Sequence, residues 1–170
     1  MTMDIRLLQL ADADDYWTLR QEALQQDPDS FGETYEEATS YDDPVARIEK
    51  MIARDNEHIF GAFIDGQLLG VAVVTVDTAV KTQHRAYIGS VYVSPDARGN
   101  GAGAAIMEAI IAWAKENPQL RKLDLGVFTS NEPAFELYKK LGFEVVGVDK
   151  RAVRHEDGTF IDEYLMTYLL

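Results

Sequence analysis

The stretch of this sequence with the most evident chemical potential is a run of alternating glycines, Gly99, Gly101 and Gly103. Residues 91–93 before it are Val-Tyr-Val, which is typical of a β-strand. Residues 104–114 after it are rich in alanine and predict a helix. Glycine lets the backbone approach a ligand closely, and the first turn of a helix offers free N–H groups at the positive end of the helix dipole. This strand, turn and helix therefore predict a site for a phosphate-bearing ligand.

Two well-known phosphate-binding turns fit this stretch poorly. A P-loop requires a Lys-Ser/Thr pair after its last glycine, and that pair is absent. A dinucleotide-binding turn is matched by Gly99, Gly101 and Ala104, with Asp124 in the position of the acid that binds a ribose. Its glycines should follow the strand directly, whereas residues 94–98 intervene, and Asp124 falls inside the next predicted strand. Dinucleotide binding is therefore the weaker alternative.

Residues 131–143 form a second motif, which predicts a helix with chemically useful groups on one face. Asn131 is suited to cap this helix, and Gly142 is suited to end it. Asn131, Ala134 and Tyr138 lie at positions i, i+3 and i+7, so they share one face. An asparagine there can hydrogen-bond an amide-bearing ligand, the small alanine leaves room for an extended arm, and the tyrosine adds a phenol at the far end.

The two motifs together resemble the GNAT (GCN5-related) N-acetyltransferases. Residues 98–103, Arg-Gly-Asn-Gly-Ala-Gly, match the pattern Gln/Arg-x-x-Gly-x-Gly/Ala of the acyl-CoA pyrophosphate turn in that family. Residues 131–143 match its second pattern, Asn-x-x-Ala-x-x-Leu-Tyr-x-x-x-Gly-Phe. The resemblance covers nearly the whole chain. It implies transfer of an acetyl group from acetyl-CoA to a primary amine, by direct attack in a ternary complex.

The resemblance also implies roles for individual residues in the donor site. Backbone groups near Val91 and Val93 would hold the pantetheine arm, and an N–H near Val91 or Tyr92 would polarise the thioester carbonyl. Tyr138 would be the catalytic acid that protonates the departing sulfur. The predicted cofactor-binding set is Val91, Tyr92, Val93, Arg98, Gly99, Asn100, Gly101, Ala102, Gly103, Ala104, Asn131, Ala134 and Tyr138.

The general base is left open by the sequence. Many members of the family carry a glutamate on the strand before the glycine turn, but residues 86–93 contain no carboxylate. Either Glu33 or Glu36 from the acidic first third of the chain reaches the site, or water held by Ser90 or Tyr92 carries the proton. The missing carboxylate also keeps a different function open, that of a CoA-binding sensor or regulatory module without turnover.

The acceptor side is implied by the resemblance to lie along the acidic segment 31–43, with Phe31 and Glu33 as substrate-binding residues. The acceptor would be a small cationic amine, a peptide N-terminus or a protein lysine. Residues 1–60 carry 15 Asp and Glu against 5 Lys and Arg, a net charge of −10, which favours a cationic acceptor.

The overall charge of the chain excludes several partners. Its 170 residues carry a formal net charge of −13 at pH 7, which should repel nucleic acid and anionic membranes. This charge would also repel a phosphorylated donor, so the donor site needs local positive charge, for which Arg98, Lys139 and Lys140 are candidates. The absence of cysteine excludes a thiol nucleophile and a thiolate metal site, and the scattered histidines show no metal-binding spacing.

The length suits one domain over residues 1–170. No signal-peptide pattern is present at the start and no apolar run is long enough to span a bilayer, so we expect a cytoplasmic protein. A homodimer is compatible with the resemblance.

The apolar pattern predicts the elements that position these residues: one strand, two helices, three strands, a helix, a strand, a helix and two strands. The expected fold class is α/β, the GNAT fold, with a mixed sheet of about seven strands and about four helices on its two faces. A helical crossover should make strands 86–93 and 123–128 parallel. The first strand is expected over residues 4–10, a hairpin turn at Asp-Gly 65–66, and an irregular or partly helical segment over 31–37.

Overall fold

The structure is a computed structural model that describes all 170 residues. Its seven strands are β1 (Met3–Leu7), β2 (Glu57–Ile64), β3 (Gln67–Val76), β4 (Arg85–Val93), β5 (Lys122–Phe128), β6 (Glu144–Arg154) and β7 (Phe160–Leu169). They form one sheet in the order β1-β2-β3-β4-β5-β7-β6. Only β4 and β5 run parallel, and all other neighbours are antiparallel. The predicted mixed sheet and its parallel pair are confirmed.

Five α-helices accompany the sheet, where the sequence predicted about four. They are α1 (Ala13–Gln26), α2 (Tyr35–Thr39), α3 (Pro44–Ala53), α4 (Ala102–Glu116) and α5 (Glu132–Leu141). The additional helix, α2, is a short one within the acidic segment. It begins at a capping box in which Thr34 accepts from the Glu37 N–H and the Glu37 carboxylate accepts from the Thr34 N–H. None of the helices combines the length and the apolar character needed to cross a membrane.

The first strand is shorter than predicted, since β1 ends at Leu7 and not at residue 10. Asp12 explains the difference: its carboxylate accepts from the Gln9 N–H at 2.7 Å and pairs with Arg6 at 2.8 Å. These bonds turn the chain into a short 3₁₀ segment before α1, and the strand cannot continue through it.

The hairpin between β2 and β3 forms at the predicted dipeptide. Asp65 has φ 49° and Gly66 has φ 84°, the two positive values that a type I′ turn requires. Ile64 pairs with Gln67 across this turn, which fixes the register of β2 and β3 next to it.

Apolar clusters cover both faces of the sheet. Alternate residues of β3 point to opposite sides, so Val71 and Val73 belong to one cluster while Ala72 and Val74 belong to the other. Helices α1 and α3 pack on the first side, and α4 and α5 contribute to the second. Ile106, Met107 and Ile110 of α4 are completely buried, and burial of each such side chain stabilises the fold by about 1.5–3 kcal/mol.

The sheet divides after Ile88. Strands β4 and β5 pair only between residues 85–88 and 122–125. Beyond this point β4 stays with β3, whereas β5 stays with β7 as far as the pair of Phe128 and Glu163. The two parallel strands are therefore separated beyond this point.

A β-bulge lies in β4 at the edge of this gap. Val71 pairs with Tyr92 and Val73 pairs with Gly89, so Ser90 and Val91 together face one residue of β3. Ser90 has φ 53°, a left-handed conformation that costs a non-glycine residue about 1–3 kcal/mol. The bulge takes backbone groups of Ser90 and Val91 out of the regular ladder and makes them available at the gap.

Candidate active site

A cavity of about 290 Å³ fills the gap between β4 and β5, and we call it the strand cavity. Its apolar lining includes Ile88, Val91, Leu125 and Phe128. The side chains in its wall that can hydrogen-bond or exchange a proton are Arg20, Ser30, Tyr87, Ser90, Asn131, Tyr138 and Glu163.

A larger groove of about 640 Å³ starts at the glycine turn and follows the beginning of α4 and one face of α5. We call it the glycine groove. Twelve of the thirteen predicted cofactor-binding residues line it, and the exception is Asn100. Sequence motifs separated by about 30 residues thus converge on one surface. Four residues line both the glycine groove and the strand cavity, so the two are continuous: Val91, Asn131, Ala134 and Tyr138.

The glycine turn has the backbone geometry that an anion site needs. Gly99 has φ 83° and Gly101 has φ 76°, and a Cβ at either would meet no atom within 4 Å, so the backbone angle rather than crowding selects glycine there. Gly101 caps α4, and the first-turn N–H groups after it have no partner inside the helix. Arg98 donates from Nε to the Val93 carbonyl at 3.1 Å, which ties its guanidinium to the groove.

Positive charge in the groove is limited. Of the three predicted cations, Arg98 lines the groove, while Lys139 and Lys140 are exposed on α5 and lie outside its lining. Asp27 also lines the groove and opposes Arg98 in charge. The helix dipole and the free N–H groups of α4 must therefore supply much of the attraction for an anion.

Helix α5 presents the predicted face to both spaces. The Ala134 N–H donates to Asn131 Oδ1 at 3.3 Å, so the asparagine oxygen is used as the helix cap. Its Nδ2 remains to serve a ligand, apart from a long contact of 3.5 Å with Ser30 Oγ. Tyr138 is only 5% exposed, and its hydroxyl has no hydrogen-bond partner. Burial, with a smaller effect from Tyr87, raises the pKa of Tyr138 to about 12.

Tyr92 lines the groove, but its phenol is already engaged by another side chain. The ring is buried on the α1 side of the sheet, and its hydroxyl donates to Glu22 Oε1 at 2.9 Å. This carboxylate and the buried surroundings raise the pKa of Tyr92, with burial the larger cause. The phenol is therefore occupied in holding α1 against β4, and it is unsuited to hold water at the strand cavity.

Glu163, which the sequence analysis missed, contributes a carboxylate to the strand cavity. It lies on β7 opposite Phe128 and packs over Gly126, where a Cβ would lie 2.6 Å from its Cδ. No protein group pairs with its carboxylate in a salt bridge. Burial, and secondarily the charge of Asp149, raises the pKa of Glu163. An unpaired, partly desolvated carboxylate beside a tyrosine is suited to accept a proton.

The predicted acceptor residues separate into different spaces. Phe31 lines the strand cavity. Glu33 lines a neighbouring space of about 170 Å³ between α1, α2 and α3, which we call the helix cavity. Its carboxylate is held by Arg20 Nη2 at 3.0 Å and by the Tyr41 hydroxyl at 3.1 Å. Glu36 lines neither of these spaces.

The alternative dinucleotide site is not assembled. Asp124, which would have to meet a ribose, accepts a hydrogen bond from Thr167 Oγ1 at 2.6 Å and pairs with Lys122 at 3.0 Å. It lies inside β5, and it does not line the glycine groove.

The sequence profile of the Acetyltransferase (GNAT) family matches residues 17–143, about three quarters of the chain. This protein belongs to that family. A crystal structure of a GNAT-family acetyltransferase from Streptococcus pneumoniae has a TM-score of 0.81 and 30% sequence identity, covering 99% of this chain and 100% of that one.

Two further proteins are similar over different extents. An L-amino acid N-acetyltransferase of Escherichia coli (strain K12) is 32% identical over 106 residues, which are 62% of this chain and 64% of that protein. The match thus spans slightly less than two thirds of the relative's length. A Salmonella typhimurium structure that contains acetyl-CoA has a TM-score of 0.83 and covers 100% of this chain and 95% of that one. Its identity is 20%, so this likeness concerns the fold alone.

Proposed function

We propose that this protein is an N-acetyltransferase that moves an acetyl group from acetyl-CoA to a primary amine while both substrates are bound. The observation that carries this proposal is the continuity of the glycine groove with the strand cavity at Tyr138. A long phosphorylated donor lying in the groove would bring its reactive end to the one place where the sheet is open. Since the chain has no cysteine, transfer through a cysteine acyl-enzyme is excluded, which favours direct attack.

The donor would be held mainly by backbone groups. The first-turn N–H groups of α4 and the Arg98 guanidinium would bind the pyrophosphate. The bulged backbone at Ser90 and Val91, together with Asn131 Nδ2, would bind the amides of the pantetheine arm. One of the freed N–H groups of the bulge would then polarise the thioester carbonyl.

The reaction requires two proton movements. The neutral amine nitrogen attacks the carbonyl carbon, the carbon–sulfur bond breaks, and the products are an acetamide and a thiol. The nitrogen loses a proton in this step and the sulfur gains one. An acceptor that arrives as an ammonium ion releases one more proton beforehand, because only the neutral amine is a nucleophile.

Glu163 is our candidate for the proton acceptor. It is the carboxylate in the wall of the strand cavity, and no other protein group competes for it. Its raised pKa brings it closer to that of an amine than an exposed glutamate would be, which favours transfer in the transition state. This assignment replaces Glu33 and Glu36, which line other spaces.

Tyr138 is our candidate for the proton donor. With a pKa of about 12 its hydroxyl stays protonated at neutral pH, and it has no competing partner. A free thiol has a pKa of about 8.5, so full proton transfer from Tyr138 to a solvated thiolate would be unfavourable. In the strand cavity the same desolvation raises the pKa of the departing thiol, which narrows the difference between this pKa and that of Tyr138.

The first experiment is a calorimetric titration of acetyl-CoA into the wild type and the Gly101→Glu variant. We expect binding in the micromolar range for the wild type and a loss of about 100-fold or more for the variant. A carboxylate about 4 Å from a phosphate costs about 1–4 kcal/mol, depending on the local dielectric. The residue must also adopt φ 76°, which adds strain.

Two control variants separate these causes. Gly101→Ala introduces the backbone strain, about 1–2 kcal/mol of stability, without charge. Asn100→Glu introduces the same charge at the one predicted residue that does not line the groove, and we expect a smaller loss of affinity. A folded wild type that does not bind acetyl-CoA, or a Gly101→Glu variant that binds as the wild type does, would contradict the proposed function.

A second prediction concerns Gly126. Alanine there would place its Cβ 2.7 Å from Glu163 Oε1, and the flexible carboxylate must move away. Displacing a reacting group by about 1 Å can cost about 10²-fold in rate, so we expect kcat to fall to that extent with little change in melting temperature. Gly147→Ala is the control, because its Cβ would make an ordinary contact at 3.8 Å with Leu165. In a Glu163→Gln background, Gly126→Ala should cause no further loss, and a full additional loss would refute the assignment.

A further inference from the structure

We propose that the acceptor is an α-amino acid, and that Arg20 binds its carboxylate. This inference rests on the proposed function and specifies the substrate class of the same site. It departs from the cationic acceptor that the acidic composition of the first third favours. What supports the change is that the linings of the strand cavity and the helix cavity are not acidic, unlike the chain as a whole.

Arg20 of α1 lies at the junction of the two acceptor-side spaces. It lines both the strand cavity and the helix cavity, and its side chain is only 16% exposed. Of its five N–H donors, one bonds Glu33 Oε2 at 3.0 Å, and no other protein group accepts from the guanidinium. The guanidinium nitrogens that lack a partner are not fully buried, so they remain free to donate to a ligand. A largely buried guanidinium with unused donors is suited to a carboxylate, which it can bind through two parallel hydrogen bonds.

The charge around the helix cavity also favours an anion. Two arginines, Arg20 and Arg47, line this cavity against a single carboxylate, Glu33. The Arg47 guanidinium lies 3.5 Å from the centre of the Tyr41 ring and makes no salt bridge. The Glu33 carboxylate is already engaged by Arg20 and by Tyr41. Positive charge therefore exceeds negative charge in the lining of this cavity, although the net charge of the protein is −13.

The strand cavity combines charges of opposite sign. Arg20 reaches it from α1 and Glu163 reaches it from β7. An amino acid carries an amine and a carboxylate on one carbon atom, so it can satisfy both groups at once: the amine at Glu163, where transfer occurs, and the carboxylate at Arg20. A polyamine or a lysine side chain would instead bring positive charge against Arg20. It would also leave the free donors of Arg20 without an acceptor.

The helix cavity offers space for the rest of such an acceptor. Its apolar and aromatic lining includes Trp17, Ile48 and Met51, and it meets the strand cavity at Arg20 and Ser90. An acceptor whose carboxylate lies on Arg20 would direct its side chain into this lining. Neutral amino acids with apolar side chains therefore fit this part of the lining.

The test measures release of the CoA thiol with matched pairs of neutral L-amino acids and their C-terminal amides, such as leucine and leucinamide. Because the protein has no cysteine, it adds no thiol background. The amides have less basic amines and expose more neutral amine at neutral pH, so their intrinsic reactivity favours them. We nevertheless expect kcat/KM to be about 10- to 100-fold higher for the acids, as one hydrogen-bonded charge pair provides.

The variant that decides the inference is Arg20→Met. It should raise KM for the acids about 10- to 100-fold and leave KM for the amides nearly unchanged, so that the preference disappears. If Arg20 served only to hold Glu33 and the loop before α2, both members of each pair would be affected alike. Arg20→Lys keeps the charge but loses the planar fork, and it should give an intermediate preference. If the Arg20→Met variant does not fold, the preference of Arg20→Lys for acids over amides still tests the inference.

Three results would overturn the inference: equal or better turnover of the amides by the wild type, a parallel loss for acids and amides in the Arg20 variants, or no turnover of any amino acid. Titration with acetyl-CoA and assays with a polyamine and a basic peptide distinguish these failures from failure of the proposed function. If acetyl-CoA binds and another amine is acetylated, only the amino acid assignment is wrong. If acetyl-CoA does not bind, the proposed function is wrong as well.

Discussion

Replacing Glu163 with glutamine should lower kcat by about 10²- to 10⁴-fold, the usual contribution of a general base, while acetyl-CoA binds as before. The glutamine keeps the size of the side chain over Gly126 but cannot take a proton. Thiol release under saturating substrates measures kcat, and calorimetry measures donor affinity. Glu144→Gln, the same substitution at an exposed glutamate of β6, should leave both unchanged.

The pH profile provides a second readout of Glu163. A base acts only when deprotonated, so the rate should fall as the pH drops through the pKa of Glu163. Since burial raises this pKa, the fall should occur at a higher pH than an exposed glutamate would give. In the Glu163→Gln variant, the fall in rate that belongs to Glu163 (the acid limb) should disappear. The pH dependence that belongs to protonation of the amine should remain. A wild-type kcat, or an unchanged acid limb, in the glutamine variant would exclude Glu163 as the base.

The stability of the Glu163→Gln variant shows whether a loss of activity is caused by a loss of folding. The pKa of Glu163 is raised in the folded state, so the folded state holds this proton more tightly than the unfolded chain does. The stability that this provides is complete below the unfolded pKa and is lost as the pH rises through the folded pKa. At neutral pH the wild type thus retains a desolvated charge that glutamine lacks. We expect the melting temperature of Glu163→Gln at pH 7 to equal or exceed that of the wild type.

Replacing Tyr138 with phenylalanine should lower kcat by about 10²-fold or more and leave acetyl-CoA affinity nearly unchanged. The hydroxyl makes no hydrogen bond in the structure, and phenylalanine keeps the tilted contact with Phe143 at 6.0 Å between ring centroids. Neither packing nor folding should therefore suffer. Steady-state thiol release tests the expected loss of kcat, and a thermal melt tests whether folding is unchanged.

Tyr168→Phe is the matched control for Tyr138. The Tyr168 ring also packs on Phe143, at 5.5 Å, but it lines neither the strand cavity nor the glycine groove. The same experiment addresses the CoA-sensing alternative. A sensor would show no turnover in the wild type with any amine, and Tyr138→Phe would change neither turnover nor binding.

The local backbone structure around the candidate site was predictable from the sequence. The glycine turn and the α5 face follow from residue types at fixed spacings, because a cap, a positive φ or a helical face depends on near neighbours. The same holds for the turn at Asp65 and Gly66. The short helix α2 also has a local signal in the sequence, the capping box of Thr34 and Glu37, which predicts a helix start there.

The parts that depend on distant contacts could not be predicted in this way. Glu163 is one polar residue in an alternating strand, and only its register with Phe128 brings it to the gap. The left-handed φ of Ser90 falls beside Gly89, the residue that a sequence-based argument would choose for it. The end of β1 is set by the ion pair between Arg6 and Asp12, which a strand pattern does not contain.

The glycine groove and the helix cavity come from different stretches of the chain, and this division bears on how the protein can diverge. Most of the groove lies within residues 91–138, whereas the helix cavity is built from residues 16–51 with Ser90 as the single addition. Under our proposal, a mutation in the part of α1 or α3 that lines the helix cavity would therefore alter which acceptor is admitted without altering a residue that lines the groove. Selection for a new acceptor side chain would then act largely on residues 16–51, while the residues of the groove are inherited unchanged.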